Sequence, residues 1–208
     1  MVAARVAIRR MVAIRSAMTI AEDVAKHYKR IWGEPTRSAT FRLGGHGVDV
    51  LKWDAARNPE QVNLYASVGA SAHVIAGQPV THRLEFFVGL KPARDDIARS
   101  LALLALEPAL NRRNLGHGQT VTYPDPLWPR TDMRTFLVIE PKEKLVPDLV
   151  LADGTRVKFL QAIPLHSAEL AYKAQHSVDR LLERWKSSGV AFWDPTRKSE
   201  PNSVGSLS

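Results

Sequence analysis

Four side chains in this sequence have the types that general acid–base chemistry uses: His82, Glu85, His117 and Asp125. A histidine exchanges its proton near neutral pH, and a carboxylate within about 3 Å can orient it or act as the base. Spacing does not by itself assemble such a set. His82 and Glu85 fall in THRLEFFVGL, whose alternation predicts a strand with His82, Leu84, Phe86 and Val88 on one face and Arg83, Glu85 and Phe87 on the other. His82 is therefore expected to be a partly buried histidine on the apolar side. His117 and Asp125 belong to a different segment, NRRNLGHGQTVTYPDPLWPRTD, which is rich in turn formers. No phosphate-cradling loop, nucleophile–base pair or metal-ligand spacing is present, and the absence of cysteine removes thiolate chemistry and disulfides. No catalytic, cofactor or metal residue is assigned. An enzyme of unknown type built on His82, Glu85, His117 and Asp125 is kept as the alternative.

A second concentration of polar groups is FLQAIPLHSAELAYKAQHSVDRLLERW, residues 159–185. Ser167 suits a helix N-cap after Pro164, and Gly189 suits the C-terminal end, so one helix is predicted from 167 to about Ser188. At 100° per residue Leu170, Ala174, Val178, Leu181, Leu182 and Trp185 share one face, and Glu169, His176 and Glu183 lie opposite. His166 and His176 are then about 15 Å apart along the axis and cannot share a metal. Glu169 is expected to be exposed and paired with Lys173 at i,i+4. Those spacings describe a scaffold rather than a site.

The elements that must position these residues follow from the same patterns. Ile20, Val24, Tyr28 and Ile31 recur at helical spacing after Thr19, and Gly33 and Pro35 end that helix. Val62, Leu64, Ala66 and Val68 alternate with Asn63, Tyr65 and Ser67, the period of a half-buried strand that leaves Tyr65 on its exposed face. GVDVLKWDA is another strand, with Trp53 as an apolar anchor. A helix from Pro92 to about residue 107, closed by Pro108, buries Ile97, Leu101, Leu104 and Ala105. RTFLVIEP is apolar on both faces and reads as a central strand, and Asp153-Gly154 predicts a type I′ hairpin in DLVLADGTRVKFLQAI.

At 208 residues the chain is long enough for one sizeable core. No apolar run approaches the roughly 18 residues of a membrane span, and the lack of cysteine matches a reducing cytoplasm. The net charge is +8, but residues 1–17 hold Arg5, Arg9, Arg10 and Arg15 and no acid, and the rest carries 25 basic against 21 acidic residues. Half of the excess therefore sits in that leader, which is expected to be disordered or dispensable. No helix-turn-helix or zinc pattern supports a nucleic-acid binder, the other alternative. The domain is expected over 18–188, followed by a flexible tail over 189–208.

Residues 157–185 also resemble the C-terminal part of the suppressor-of-fused (SUFU) domain, where a strand runs through a "PL" or "PI" turn into an acid-rich helix with a leucine pair. Phe159, Leu160, Pro164, Leu165, Glu169, Leu170, Leu181 and Leu182 carry the match. WDAARNPEQVNLYASVGAS, HRLEFFVGL and GHGQTVTYPDP are similar to the corresponding segments in the same order, so the resemblance spans about 19–187. It implies a single α+β domain with a largely antiparallel or mixed sheet, adaptor-like protein binding and no catalytic activity. The animal protein that names the family grips a peptide strand of Gli-type factors between this domain and a second one. The 20 residues after Ser188 are not expected to hold that second domain. Short bacterial relatives resemble immunity proteins that neutralise secreted toxins, so another protein, such as a toxin domain, is the expected partner. The candidate contact surface is the loop over 111–133 with Tyr123, Asp125 and Trp128, together with Tyr65.

Overall fold

The computed structural model describes residues 20–199; the leader and Thr19 lie outside them. Helix α1 covers residues 20–32 and ends where Gly33 takes φ +78°. Strands β1 (Arg37–Leu43), β2 (His46–Trp53), β3 (Asn63–Val68) and β4 (His82–Leu90) follow. Helix α2 is Ile97–Leu110, and β5 (Thr120–Thr122), β6 (Thr135–Ile139), β7 (Leu149–Val150) and β8 (Arg156–Leu165) complete one mixed sheet. Its order is β1-β2-β3-β4-β8-β6-β5, with β7 beside β8. All neighbours are antiparallel except β4 and β8. Helices α3 (Ser167–Gln175) and α4 (Val178–Ser188) end the fold.

The expected single α+β domain is what forms, with three layers. Helix α2 covers one face, where Ile97, Leu101 and Leu104 meet Val50, Tyr65, Phe86, Phe136 and Leu160. Helix α1 covers the other, placing Val24, Tyr28 and Trp32 against Trp53, Leu64, Phe87 and Phe159. Helix α4 lies on that same face farther along, with Leu181 and Trp185 against Leu137, Ile163 and Leu165. Because helices flank both faces, β3 is buried at every residue rather than half-buried. The anchoring role of Trp53 holds: it is fully buried and its indole Nε1 donates to Gly33 O at 2.8 Å.

Several boundaries differ from expectation for local reasons. Helix α2 starts at Ile97, because residues 94–96 are held in a turn by the Ile97 N to Arg94 O and Ala98 N to Asp95 O bonds. Pro108 sits inside its last turn, where one missing N–H is tolerated more readily than in mid-helix. The β7–β8 connection has a single positive φ at Gly154; Leu151 O accepts from Gly154 N and Leu151 N donates to Thr155 O, giving a three-residue loop rather than a type I′ turn. Strand β1 has no alternation to betray it, since nearly all of it is exposed and backbone pairing alone defines it. The long segment after α2 is interrupted by β5.

The predicted helix over 167–188 is two helices. Ser177 adopts extended backbone and its hydroxyl accepts from Arg180 N at 3.1 Å, capping α4. The break turns the first segment, so Ala174 is exposed and Glu169, expected to be exposed beside Lys173, is 5% exposed. Gly189 ends α4 in the left-handed region, as expected. Leu181 is buried and His176 is exposed. Leu181→Ala is therefore expected to cost about 2–5 kcal/mol in a denaturant titration, and His176→Ala close to nothing. The opposite ranking would refute the packing of α4.

Residues 189–199 do not behave as a loose tail. Phe192 stacks on Trp185 at 5.8 Å, and Trp193 O accepts from Lys91 N at 2.9 Å. The Arg197 guanidinium is buried against Glu169 at 2.9 Å and also donates to Pro164 O at 2.6 Å. Glu169 in turn accepts from His166 N at 2.8 Å. His166 is 4% exposed, with Nδ1 at 2.9 Å from Asp132 and Nε2 at 3.0 Å from Arg197 O. The chain after α4 thus straps down the end of β8 and the start of α3. Among the described residues no helix is long and apolar enough to cross a membrane.

Candidate functional site

The four acid–base candidates do not converge. His82 is exposed rather than partly buried, because it begins β4, before the strand passes under α2. It borders a cleft of about 260 Å³ that His117 also borders. His117 Nδ1 accepts from Glu140 N at 3.2 Å, and the nearby Glu140 carboxylate is held by Lys158 and Lys144. Those lysines, Lys158 foremost, hold the Glu140 carboxyl below the usual range. Glu85 lies on the opposite face of β4, fully buried, and Asp125 borders a different cleft. Among the described residues no group of three His, Cys, Asp or Glu side chains is arranged to hold a metal ion.

Glu85 is a structural carboxylate. Its Oε1 accepts from Gly69 N at 2.9 Å, Ser71 N at 3.0 Å and Ser71 Oγ at 2.6 Å; its Oε2 accepts from Ser67 Oγ at 2.5 Å. Ser67 Oγ also accepts from Phe86 N at 2.9 Å. Burial pushes the Glu85 carboxyl up, and these four donors oppose that shift. Gly69 is required here: its φ is +122°, and a Cβ would meet Gly47 O at 3.1 Å.

Tyr65, expected on an exposed strand face, is 2% exposed, because α2 covers that face of β3. Its hydroxyl donates to Asp95 Oδ1 at 2.8 Å and accepts from Arg94 N at 3.1 Å. Lys52 at 2.7 Å and Arg37 at 3.2 Å complete the shell of Asp95. Lys52 first, and then the Tyr65 hydroxyl, draw the Asp95 carboxyl below its ordinary range. The network fastens β1, β2 and β3 to the turn before α2, so Tyr65 positions α2 and offers no contact surface.

The other three candidates border one open cleft of about 780 Å³ along α2. Phe41 and Leu43 of β1, Leu103 and Leu110 of α2, and Pro126 supply apolar walls. The segment over 123–129 is tied to α2 by Ser100 Oγ donating to Leu127 O at 2.6 Å. Trp128 is 3% exposed and belongs to the core beneath this segment, while Asp125 is exposed. Tyr123 is half-buried with its ring edge toward Phe136, and its hydroxyl is buried without a partner among the described residues. Burial, reinforced by the nearby Glu107 charge, pushes that phenol well up. Glu107, absent from the sequence-derived candidates, also faces the cleft. Being the lone charge in the otherwise apolar stretch 101–110 of α2 was the only signal that could have marked it.

An α+β domain with α2 and the α1/α4 layer on opposite sides of a mixed sheet, and an open apolar-walled cleft beside α2, is the class of protein these features define. The sequence model of the suppressor of fused protein family (SUFU) matches residues 44–198, and the chain belongs to that family. Among solved structures it is similar to a SUFU homologue from Neisseria gonorrhoeae, at 22% identity and TM-score 0.65, over 88% of this chain and 97% of that one. It is similar also to a chain of the Sufu–Fu complex, at 15% identity and TM-score 0.65, over 87% of this chain and 91% of that one. Drosophila Suppressor of Fused matches at 15% identity and TM-score 0.64 over 85% of this chain, which spans half the length of that protein. At these identities the likeness shows the fold. No curated protein matches the chain.

Proposed function

We propose that the chain is a non-catalytic, adaptor-like protein-binding domain that works in the cytoplasm and holds its partner along the α2 cleft. The observation that carries this reading is the cleft itself. It is apolar-walled, open, and lipped by Pro124, Pro126 and Pro129, which limit the conformational freedom a partner would have to quench. The scatter of His82, Glu85, His117 and Asp125 over two clefts and the core removes the acid–base set an enzyme reading would use. Within this reading the partner is a toxin domain and the chain its immunity protein, a role supported by the resemblance to short bacterial family members.

The test is co-expression with the product of the neighbouring open reading frame, followed by capture and melting of Tyr123→Ala, Asp125→Ala and Trp128→Ala. Asp125→Ala is expected to weaken capture at least about threefold at an unchanged melting temperature. Trp128→Ala is expected to lower the melting temperature, since it empties a buried site at a cost of about 3–5 kcal/mol. If every loss of capture is matched by a loss of stability, the segment is a lid on the core and the proposed contact surface is wrong.

A further inference from the structure

The two edges of the sheet are finished differently. At one end β5 is three residues long, and Pro124 follows two residues after it. At the other end β1 pairs with β2 through all seven of its residues, from Arg37 opposite Lys52 to Leu43 opposite His46, without a bulge. Among the described residues no strand pairs with its outer side. Prolines, bulges, short length and charged side chains are the usual protection of an edge against pairing with another chain. Strand β1 has only the last, Arg37 and Arg42 near its two ends, and Arg37 is held by Asp95 at 3.2 Å. The middle of the edge is open, and every residue of β1 except Phe41 is exposed.

The pattern of β1 matches itself in one register. Alternation sets Arg37, Ala39, Phe41 and Leu43 on the α2 side of the sheet and Ser38, Thr40 and Arg42 on the other. Phe41 packs on the α2 core, whereas Leu43 is 46% exposed. Two copies pair edge to edge, antiparallel, only about a twofold axis perpendicular to the sheet, so facing residues come from the same side. Centred on Thr40, the pairing uses all seven residues. Thr40 then faces Thr40 of the second copy, Ala39 faces Phe41, Ser38 faces Arg42 and Arg37 faces Leu43. Small side chains stand opposite large ones, and the two Arg42 side chains are four residues or about 14 Å apart, beyond the roughly 8–10 Å over which charges act at physiological salt. A centre on Phe41 brings them to about 7 Å and leaves Arg37 and Ser38 unpaired, and a centre on Ala39 leaves out Arg42 and Leu43.

We infer that two copies of this chain join through β1, antiparallel and centred on Thr40, so that their sheets become one across a twofold axis. The strand pair is about 24 Å long and forms about six to eight hydrogen bonds between the copies. It also covers Leu43 with the stem of the second copy's Arg37. An interface of one strand is small, so the dimer is a reversible one that forms at micromolar concentration. Dimerisation needs nothing from the protein-binding reading above, and it places both α2 clefts on one side of the joined sheet.

Sedimentation equilibrium of the full chain from about 2 to 200 µM is expected to pass from the mass of one chain to that of two. The register is read by cross-linking, because the chain has no cysteine of its own. Facing residues of an antiparallel pair have Cα atoms about 4.5–5.5 Å apart, within the roughly 4.4–6.8 Å that a disulfide spans. Thr40→Cys treated with diamide should therefore give a covalent dimer. Ser38→Cys is the control: it is exposed on the same side, but its two copies lie about 14 Å apart, and it should cross-link at least about tenfold more slowly. Thr40→Lys sets two ammoniums on the axis beside both Arg42 side chains, four cations against the two Asp49 carboxylates. It should weaken the dimer at least about tenfold. Melting temperatures are measured alongside, and Thr40 is exposed, so the variants are expected to fold.

A single-chain mass over the whole range overturns the inference. So does equal cross-linking at positions 38 and 40, which marks random collision, or a dimer that Thr40→Lys leaves at full strength, which marks another surface. If the chain stays monomeric and Thr40→Lys abolishes capture of the neighbouring gene's product, the β1 edge takes a strand of that partner and the second-copy assignment is wrong.

Discussion

Arg197→Ala is expected to destabilise the domain by about 3–5 kcal/mol, lowering the melting temperature by roughly 10 °C. The guanidinium is 7% exposed and its carboxylate partner Glu169 5%, so removing the arginine strands a buried charge. It also takes away the donor to Pro164 O. An exposed ion pair would cost about 1 kcal/mol or less, so the size of the loss distinguishes a strap from a loose tail. The double variant Arg197→Met with Glu169→Gln should recover at least half of the loss, because it leaves no unpaired charge and the glutamine oxygen still accepts from His166 N. Denaturant midpoints of the native chain, the single and the double variants measure this. A single-variant loss below about 1 kcal/mol would show that the buried Arg197–Glu169 pair does not fasten this segment to the fold.

Glu85→Ala is expected to cost a similar amount, about 3–5 kcal/mol, through the donors it abandons rather than the volume it removes. Gly69 N, Ser71 N and the hydroxyls of Ser67 and Ser71 all point at the carboxylate. Glu85→Gln should be far milder. One amide oxygen can keep the three bonds at Oε1, and the amide N–H can donate to Ser67 Oγ once that hydroxyl rotates. The same pair of variants reads the titration. Burial raises the folded carboxyl above its unfolded value, so the folded state binds the proton more tightly. Stability from this group is then full below the unfolded pKa and declines as pH rises through the folded one. Equilibrium unfolding of the native chain across that window should show the decline, and Glu85→Gln should flatten it. An identical slope in both would mean that Glu85 does not titrate differently on folding.

Where helical or alternating patterns were long, they were sufficient. Ile20, Val24 and Tyr28, the Ile97–Leu101–Leu104 stripe and the Leu181–Trp185 pair all lie on buried faces, and the ordered family segments identified the fold. Each such pattern reflects a face-to-core partition that acts residue by residue along one element. The candidate site was legible only in part. The segment with Tyr123 and Asp125 does border the cleft, but Glu107 was marked only by being a lone charge in the apolar stretch 101–110, and Tyr65 looked exposed because alternation cannot reveal that helices cover both faces of a sheet. By itself the sequence determined the secondary elements with strong periodicity, the absence of thiol chemistry, the family and the excess of positive charge. Tertiary structure alone decided which polar groups are buried and with whom: Glu85 with the Ser67–Ser71 turn, and Glu169 with Arg197. Such partners are 14 to 28 residues apart in the chain, and their meeting depends on sheet order and helix docking, which no local spacing encodes.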